Sequence, residues 1–144
     1  MPVKAQNLSN HARYVPLFHG VLLAMLLVNL VWAIRQVIRL GSAEHWVGLM
    51  MALAYGIFFA YVRRFPLTVQ DRVIRLEETL RLQRLAPDLA ARASEFTCDQ
   101  WIGLRFASDE ELPALARRVL DEKLTDRGAI KRLVGTWRPD YLRV

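Results

Sequence analysis

Two uncharged apolar stretches lie close together in the first half of the chain, at residues 15–34 and 46–62. The first contains twenty residues, and a helix of that length extends about 30 Å, the thickness of the hydrocarbon core of a bilayer. The second contains seventeen residues, the lower limit for crossing a membrane. The pattern therefore predicts a transmembrane helical hairpin with a loop at residues 35–45.

Two other interpretations fit these stretches less well. A cleavable signal peptide has a shorter apolar region followed by a small-x-small cleavage motif, and no such motif follows Ile34. A buried hairpin of a soluble protein would need more surrounding chain than 144 residues provide. Both remain alternatives to the membrane hairpin.

Basic residues near the two stretches predict the orientation of the hairpin. Six of them flank the hairpin and two lie in its loop, and basic residues concentrate on the cytoplasmic side of membrane proteins. The flanking residues are Lys4, Arg13, Arg63, Arg64, Arg72 and Arg75, and those in the loop are Arg35 and Arg39. Both ends of the chain are therefore expected in the cytoplasm. Arg63, Arg64, Arg72 and Arg75 are expected to contact anionic lipid headgroups.

A row of small residues follows the second stretch at a spacing of four, where it predicts a helix-packing interface. Small side chains let two helix backbones approach closely in a membrane. The row consists of Gly48, Ala52, Gly56 and Ala60, with a shorter match at Gly20 and Ala24 in the first stretch. The pattern fits packing within one hairpin as well as self-association or docking on a larger membrane complex.

His19 and Asn29 are the strongly polar residues within the stretches. They are ten positions apart, so they lie about 80° apart around a helix and do not form one polar site. His19 is expected near the cytoplasmic boundary, and Asn29 is expected to hydrogen-bond across a helix interface. A proton-transfer or metal-binding role for His19 is the alternative.

A second helix is predicted after the hairpin, because Pro66 is expected to end the membrane helix and Thr68 to cap a new one. An apolar seam follows at alternating spacings of four and three. It consists of Val69, Val73, Leu76 and Leu80. We expect this seam to pack on the rest of the cytoplasmic domain, or alternatively to pair with a neighbouring molecule. Acid and base pairs are expected between Asp71 and Arg75 and between Glu77 and Arg81.

The remainder of the chain predicts a cluster of short capped helices. Thr97 with Gln100 and Ser108 with Glu111 match capping boxes, and Thr125 is a simpler candidate cap. Apolar stripes predict helices that bury one face. One stripe is Leu112, Leu115, Ala116, Val119 and Leu120, and the other is Ile130, Leu133, Val134 and Trp137. At under 60 residues this cluster needs support from the preceding helix, another subunit or a partner.

The fold is thus expected to be all-α in four segments. These are an N-terminal cytoplasmic segment at 1–14, the hairpin at 15–62, a juxtamembrane helix at 63–87 and a small helical domain at 88–144. The net charge of +6 is divided about evenly between the two sides of residue 62. Such a distribution fits a body near anionic lipid better than a nucleic-acid-binding tail.

Catalytic chemistry has little support in the sequence. All three histidines precede the second stretch, and Cys98 is the only cysteine, although its position after Thr97 favours a modestly lowered thiol pKa. Glycine-rich phosphate loops, HExxH and GxSxG motifs are absent, so no catalytic, cofactor-binding or metal-binding residue is assigned. A helix-turn-helix around residues 124–126, with Lys131 and Arg132 as readers of DNA, is a minor alternative.

Three segments give the chain a resemblance to an uncharacterised family of small bacterial proteins with two transmembrane segments and a basic helical tail. They are QNLSNHARYVPLFH, QDRVIRLEETLRL and the stretch from LRFASDEELPAL to WRPDYLRV. The resemblance implies a bacterial inner-membrane location and assigns no site residues.

Residues and resemblance together predict a non-enzymatic multi-pass protein, an accessory subunit or scaffold whose hairpin anchors a cytoplasmic interaction domain. A homo-oligomer or a larger membrane complex is the expected partner. The alternatives are a membrane-tethered DNA-binding regulator and a subunit of a membrane enzyme or transporter.

Overall fold

The computed structural model describes residues 6–10 and 14–141, and regular structure in this part of the chain is helical. A π-helical segment, Leu17–Leu22, leads directly into α1. The α-helices are α1 Leu23–Leu40, α2 Ala43–Leu85, α3 Pro87–Ala90, α4 Cys98–Leu104, α5 Leu112–Asp121 and α6 Arg127–Leu133. Within the described ranges the β-structure is limited to an isolated antiparallel bridge between Ala107 and Trp137. The predicted all-α class is confirmed.

Helix α2 contributes to two compact units. Residues 14–66 form the first, which we call the hairpin unit, and residues 67–141 with 6–10 form the second, the helical domain. The N-terminal segment predicted at 1–14 is described only at 6–10 and 14, and Lys4, Arg13 and the last three residues of WRPDYLRV lie outside the described residues.

A two-residue link joins the helices of the hairpin, so the predicted eleven-residue loop is wrong. α1 continues through Arg35 and Arg39 to Leu40 and ends where Gly41 adopts a φ of +61°. This left-handed conformation ends helices and is favourable for glycine, which has no Cβ to clash with the backbone. Ser42 alone separates Gly41 from α2.

The hairpin unit leaves most of its apolar surface uncovered. Only 6 % of the most apolar stretch of either long helix is buried, and both helices are long and apolar enough to cross a membrane. Buried or partly covered apolar positions recur at spacings of four, three and four on α1, and covered positions at four, three and seven on α2. They are Leu26, Leu30, Ala33 and Val37 on α1, and His45, Leu49, Ala52 and Phe59 on α2. Phe18 stacks on Phe59 with ring centroids 4.5 Å apart.

Pro66 does not end the second apolar helix, contrary to the sequence prediction. It lies inside α2, and Thr68, the predicted cap, occupies a helix interior. Proline removes one amide donor, which costs a single helical hydrogen bond to Val62. Of the side chains that follow it, those of Leu67, Gln70 and Asp71 are partly covered, and the helix continues through them without a break.

The helical domain has its own apolar core, to which α2 contributes. Trp101 and Leu104 of α4, Leu112 of α5 and Ile130 of α6 are fully buried together with Leu82 of α2. The expected support from the preceding helix is therefore present. The predicted α5 stripe is confirmed, since Leu112, Leu115, Ala116 and Val119 are buried and Leu120 is half-buried.

The structure confirms one of the three helix caps predicted in this part of the chain. Thr97 and Gln100 form the predicted capping box at α4. Asp126, not Thr125, caps α6 by accepting a hydrogen bond from the Ala129 amide at 2.7 Å, because Asp126 is the residue with extended backbone before the helix. Ser108 accepts from the Glu111 amide, but α5 begins only at Leu112 and the Glu111 carboxylate is used elsewhere.

Candidate interaction site

One side of α2 carries a buried ionic network into the helical domain. Glu78 and Arg81 lie one turn apart and are only 4 % and 7 % exposed. Arg81 donates to Glu78 at 2.9 Å, to Asp109 at 2.7 Å and to the Ala107 carbonyl at 2.7 Å. Arg138 donates to the second oxygen of Glu78 at 3.2 Å. Such paired and hydrogen-bonded charges are tolerated in an interior, whereas one of them alone would be costly.

Asp109, which is half-buried, lies at one end of this network. Its carboxylate accepts hydrogen bonds from Arg81 and, at 3.0 Å, from Arg84. The hydrogen bond from Arg81 lowers the pKa of Asp109 below its ordinary value of 3.8, with a further contribution from the positive charge of Arg84. The network thus joins α2 to the loop that precedes α5.

The segments that resemble the uncharacterised family meet at this network. Glu78 and Arg81 belong to QDRVIRLEETLRL, Asp109 to LRFASDEELPAL and Arg138 to WRPDYLRV. Gln6, from the first segment, donates to the Asp140 carbonyl at 3.1 Å and accepts from the Asp140 amide at 2.7 Å. Residues far apart in the chain therefore converge on one face of α2.

A cavity of about 740 Å³ opens beside the network. Its charged lining is nearly balanced, with four arginines opposed by three carboxylates. They are Arg81, Arg84, Arg105 and Arg138, and Glu77, Glu78 and Asp140. Arginine side chains already engaged by carboxylates leave little net charge to attract an anion. The arrangement is that of a structural contact between α2 and the rest of the helical domain, which we call the ionic joint.

A smaller cavity of about 320 Å³ lies on the other side of Arg105. Arg105 and Lys131 are 5 % and 7 % exposed, and both cations lie over the ring of Phe106, at 4.5 and 5.1 Å from its centroid. Arg105 is also 3.5 Å from Asp140. Burial of Lys131 removes it from the surface that the helix-turn-helix alternative requires for reading DNA.

Contacts of Glu111 and Trp137 hold the last part of the described chain against the rest of the helical domain. The Glu111 carboxylate accepts from the amides of Gly135 at 2.7 Å and Thr136 at 3.0 Å. Trp137, predicted on a helical stripe, lies beyond the end of α6 and stacks on Phe106 at 4.5 Å. Glu111 was expected in a capping box, and no local signal distinguishes that role from the long-range one.

The apolar seam on α2 is exposed, so the expectation that it packs on the rest of the domain is wrong, although Leu80 at its end lines the cavity beside the ionic network. All four of its members are 46–60 % exposed, while Ile74, Glu78 and Leu82 on the opposite side are buried. The seam residues are Val69, Val73, Leu76 and Leu80. Arg81 pairs with Glu78 instead of the predicted Glu77, and no ion pair joins Asp71 to Arg75 among the residues that the structure describes.

The small-residue row is largely open as well. Ala52 is buried, but Gly48, Gly56 and Ala60 are exposed, and a Cβ added at Gly48 or Gly56 would meet no atom within 4 Å. A spacing of four drifts around a helix, and of the row's four residues only Ala52 is also among the covered residues of α2. On the first helix, Ala24 is exposed and the space beside Gly20 is taken by the Tyr14 hydroxyl, 3.3 Å from an added Cβ.

The two polar residues of the apolar helices differ in their surroundings. His19 is half-buried, stacks with Tyr14 at 5.1 Å and has its Nδ1 atom 3.0 Å from the Val15 amide, which donates to it. Asn29 is exposed on α1, and its side chain has no hydrogen-bond partner in residues 6–10 and 14–141. The interhelical partner expected for Asn29 is therefore not on α2 of the same chain.

Arginines and the cysteine show no assembled chemical site. Arg63 is half-buried, and Arg64, Arg72 and Arg75 are exposed. Cys98 is exposed, and partial burial of its sulfur, followed by the charges of Asp71 and Asp99, raises its thiol pKa instead of lowering it. Within the described ranges, no group of three or more His, Cys, Asp or Glu side chains has the arrangement of a metal site.

Comparison with known proteins gives a family without a known activity. No curated protein and no protein of solved structure matches the chain significantly. The model of one family matches residues 1–144, the whole sequence. The ionic joint, the open seam and the apolar hairpin are therefore features of a chain that belongs to the family of unknown function DUF6526.

Proposed function

We propose that this protein is a non-enzymatic membrane scaffold or accessory subunit, in which the hairpin anchors the helical domain at the cytoplasmic face of a bacterial inner membrane. The observation that carries the proposal is the contrast in burial. The two long apolar helices are almost uncovered, while the domain has its own closed core. An exposed apolar surface of this size requires either lipid or another protein.

The hydrogen bonds between Gln6 and Asp140 support the proposed topology. These residues lie on either side of the hairpin in the sequence, so their contact favours both ends of the described chain on one side of the membrane. The Gly41 and Ser42 link would then be the part exposed on the other side. Arg63, Arg64 and Arg75 would lie next to anionic lipid headgroups.

Assembly through the apolar helices is the second part of the proposal. The open row at Gly48, Gly56 and Ala60 allows close approach of another helix. Asn29, which has no partner for its side chain in the described part of the chain, would hydrogen-bond across such an interface. The proposed assembly is a homo-oligomer or a larger membrane complex.

Cysteine labelling tests the membrane topology. Cys98 is the only cysteine and is exposed, so a membrane-impermeant maleimide should label it in inside-out vesicles and not in intact cells. In a Cys98→Ser background, Ser42→Cys should show the opposite pattern. Labelling of both positions from one side, or release of the protein by alkaline carbonate, would contradict the proposed anchoring.

Gly56→Leu tests the assembly. A Cβ at this position would meet no atom of its own chain within 4 Å, so we expect a smaller assembly in mild detergent to come from a lost intermolecular contact. Ala54→Leu is the matched control, because Ala54 is exposed on the same helix but lies off the row. Native mass spectrometry should show dissociation for Gly56→Leu alone. An unchanged or monomeric state for all three proteins contradicts assembly through this row.

A further inference from the structure

The open seam on α2 has the spacing of a coiled coil. Its residues alternate at four, three and four positions, the repeat that keeps one stripe of side chains facing a partner helix. The opposite side of this helix segment is already occupied by the domain through Ile74, Glu78 and Leu82. Val69, Val73 and Leu76 thus point outward from a helix whose other side is fixed, and Leu80 lies at the edge of the cavity beside the ionic network.

The charges beside the seam are complementary to those of a second copy. Arg72 directly precedes Val73, and Glu77 directly follows Leu76. In a parallel two-stranded coil, residues at these flanking positions pair across the interface when they are five apart, so Arg72 meets Glu77 of the second copy twice by symmetry. Neither residue forms an ion pair within residues 6–10 and 14–141. The next pair, Thr79 with Arg84, contains no like charges.

We infer that residues 69–80 of α2 pair in parallel with the same segment of a second copy, through Val69, Val73, Leu76 and Leu80 and the Arg72 and Glu77 ion pairs. The inference rests on the proposed membrane anchoring, which gives both copies one orientation and makes their α2 segments run in the same direction. A lipid surface fits less well, because amphipathic helices that bind membranes carry basic residues on both flanks, and Glu77 occupies one flank here.

Anchoring also compensates for the shortness of the seam. About two heptads are too few for an independent coiled coil in solution. Two copies held in one membrane and already in contact through their apolar helices meet at a high effective concentration, which lowers the contact energy that the seam must supply. The pairing is therefore expected in the full chain and not in an isolated peptide.

Disulfide crosslinking in membrane vesicles tests the pairing and its direction. In a Cys98→Ser background, Val69→Cys and Leu80→Cys should each form disulfide dimers with copper phenanthroline, because equivalent residues face each other across a parallel interface. In an antiparallel pair these equivalent positions would be up to about 16 Å apart, beyond the roughly 7 Å that a disulfide spans between Cα atoms. Arg75→Cys, exposed on the same helix but off the seam, is the control.

A charge exchange tests the partner's identity. Arg72→Glu and Glu77→Arg should each reduce dimer yield about fivefold, since two rim pairs are lost per dimer. The double variant should restore it. Restoration identifies a second copy as the occupant, because another protein or a lipid surface would not compensate for the exchange.

Two outcomes would overturn the inference. One is crosslinking at Val69→Cys and Leu80→Cys no stronger than at Arg75→Cys, and the other is crosslinking only when the two variants are mixed, which indicates an antiparallel pair. Dissociation by Gly56→Leu tests the proposed function independently. If Gly56→Leu dissociates the assembly but the seam cysteines form no disulfide dimers, the proposed assembly is supported and the seam pairing is wrong.

Discussion

Trp32 and Trp101 are tryptophans in helices of the same chain, yet Trp32 is 57 % exposed and Trp101 is fully buried. The difference extends to the two units that contain them. The hairpin unit turns its large apolar side chains outward, while the helical domain buries its own together with the charged side chains of Glu78, Arg81, Arg105 and Lys131. Burial within the chain thus distinguishes the hairpin unit, whose apolar surface needs lipid or another protein to cover it, from the helical domain, which forms its own core.

Replacing one tryptophan in each unit should give the largest difference in the free energy of unfolding. Trp101→Ala leaves a large core cavity, with an expected loss of about 3–5 kcal/mol in the free energy of unfolding. Trp32→Ala, the matched control, should change it by no more than about 0.5 kcal/mol, because its side chain has few contacts to lose. Denaturation of the full chain in mild detergent, followed by circular dichroism, measures both. Equal losses would contradict the contrast in burial.

Charge removal tests the ionic joint. Glu78→Gln leaves Arg81 and Arg138 without their shared carboxylate in a buried site, so we expect a loss of about 3 kcal/mol in stability. Its neighbour Glu77 is exposed, and Glu77→Gln should cost at most about 1 kcal/mol. The same denaturation experiment distinguishes them. A tolerated Glu78→Gln would indicate that the network does not fix the domain to α2.

Two glycines provide a smaller and more local test. A Cβ at Gly103 would lie 2.8 Å from Ile130, where α4 and α6 approach closely, so Gly103→Ala should destabilise the domain by about 1–3 kcal/mol. Gly48→Ala meets no atom within 4 Å and should be neutral or slightly stabilising, because alanine favours a helix. Thermal unfolding of both variants checks the difference, and matching melting temperatures would argue against the close α4 and α6 contact.

Acid should weaken the domain through Asp109. Its pKa is lower in the folded state than its ordinary value of 3.8, so its ion pairs stabilise the fold above that value and this contribution is lost as the pH falls through the folded pKa. Asp109→Asn should therefore lose less stability than the wild type between pH 5 and pH 3. Asp121→Asn is the control, since no ion pair of Asp121 occurs within the described ranges. Identical acid profiles for all three proteins would contradict this role.

Periodicity predicted which residues share a helix face better than it predicted what covers that face. Val69, Val73, Leu76 and Leu80 do lie on one side of α2, but the domain packs on the other. A continuous α2 also replaces the break expected at Pro66. Whether one missing hydrogen bond ends a helix depends on tertiary packing after it, which a local pattern does not contain.

The ionic joint could not be predicted from local sequence patterns, because its residues are far apart in the chain. Asp109 is 28 residues from Arg81, and Arg138 is 60 residues from Glu78. Charged residues on a helix normally face water, so Glu78 and Arg81 carry no signal that separates them from exposed Glu77. Core residues such as Leu112 and Val119 were predictable because apolar spacing directly reports burial.

The contact between Gln6 and Asp140 has a consequence for the order of biosynthesis. A ribosome adding roughly 5–20 residues per second produces Gln6 about 7–27 s before Asp140, which lies 134 positions later. Both apolar helices are therefore synthesised before Gln6 can form hydrogen bonds with Asp140. This contact can form only after Asp140 has been made, so it follows translation of both apolar helices.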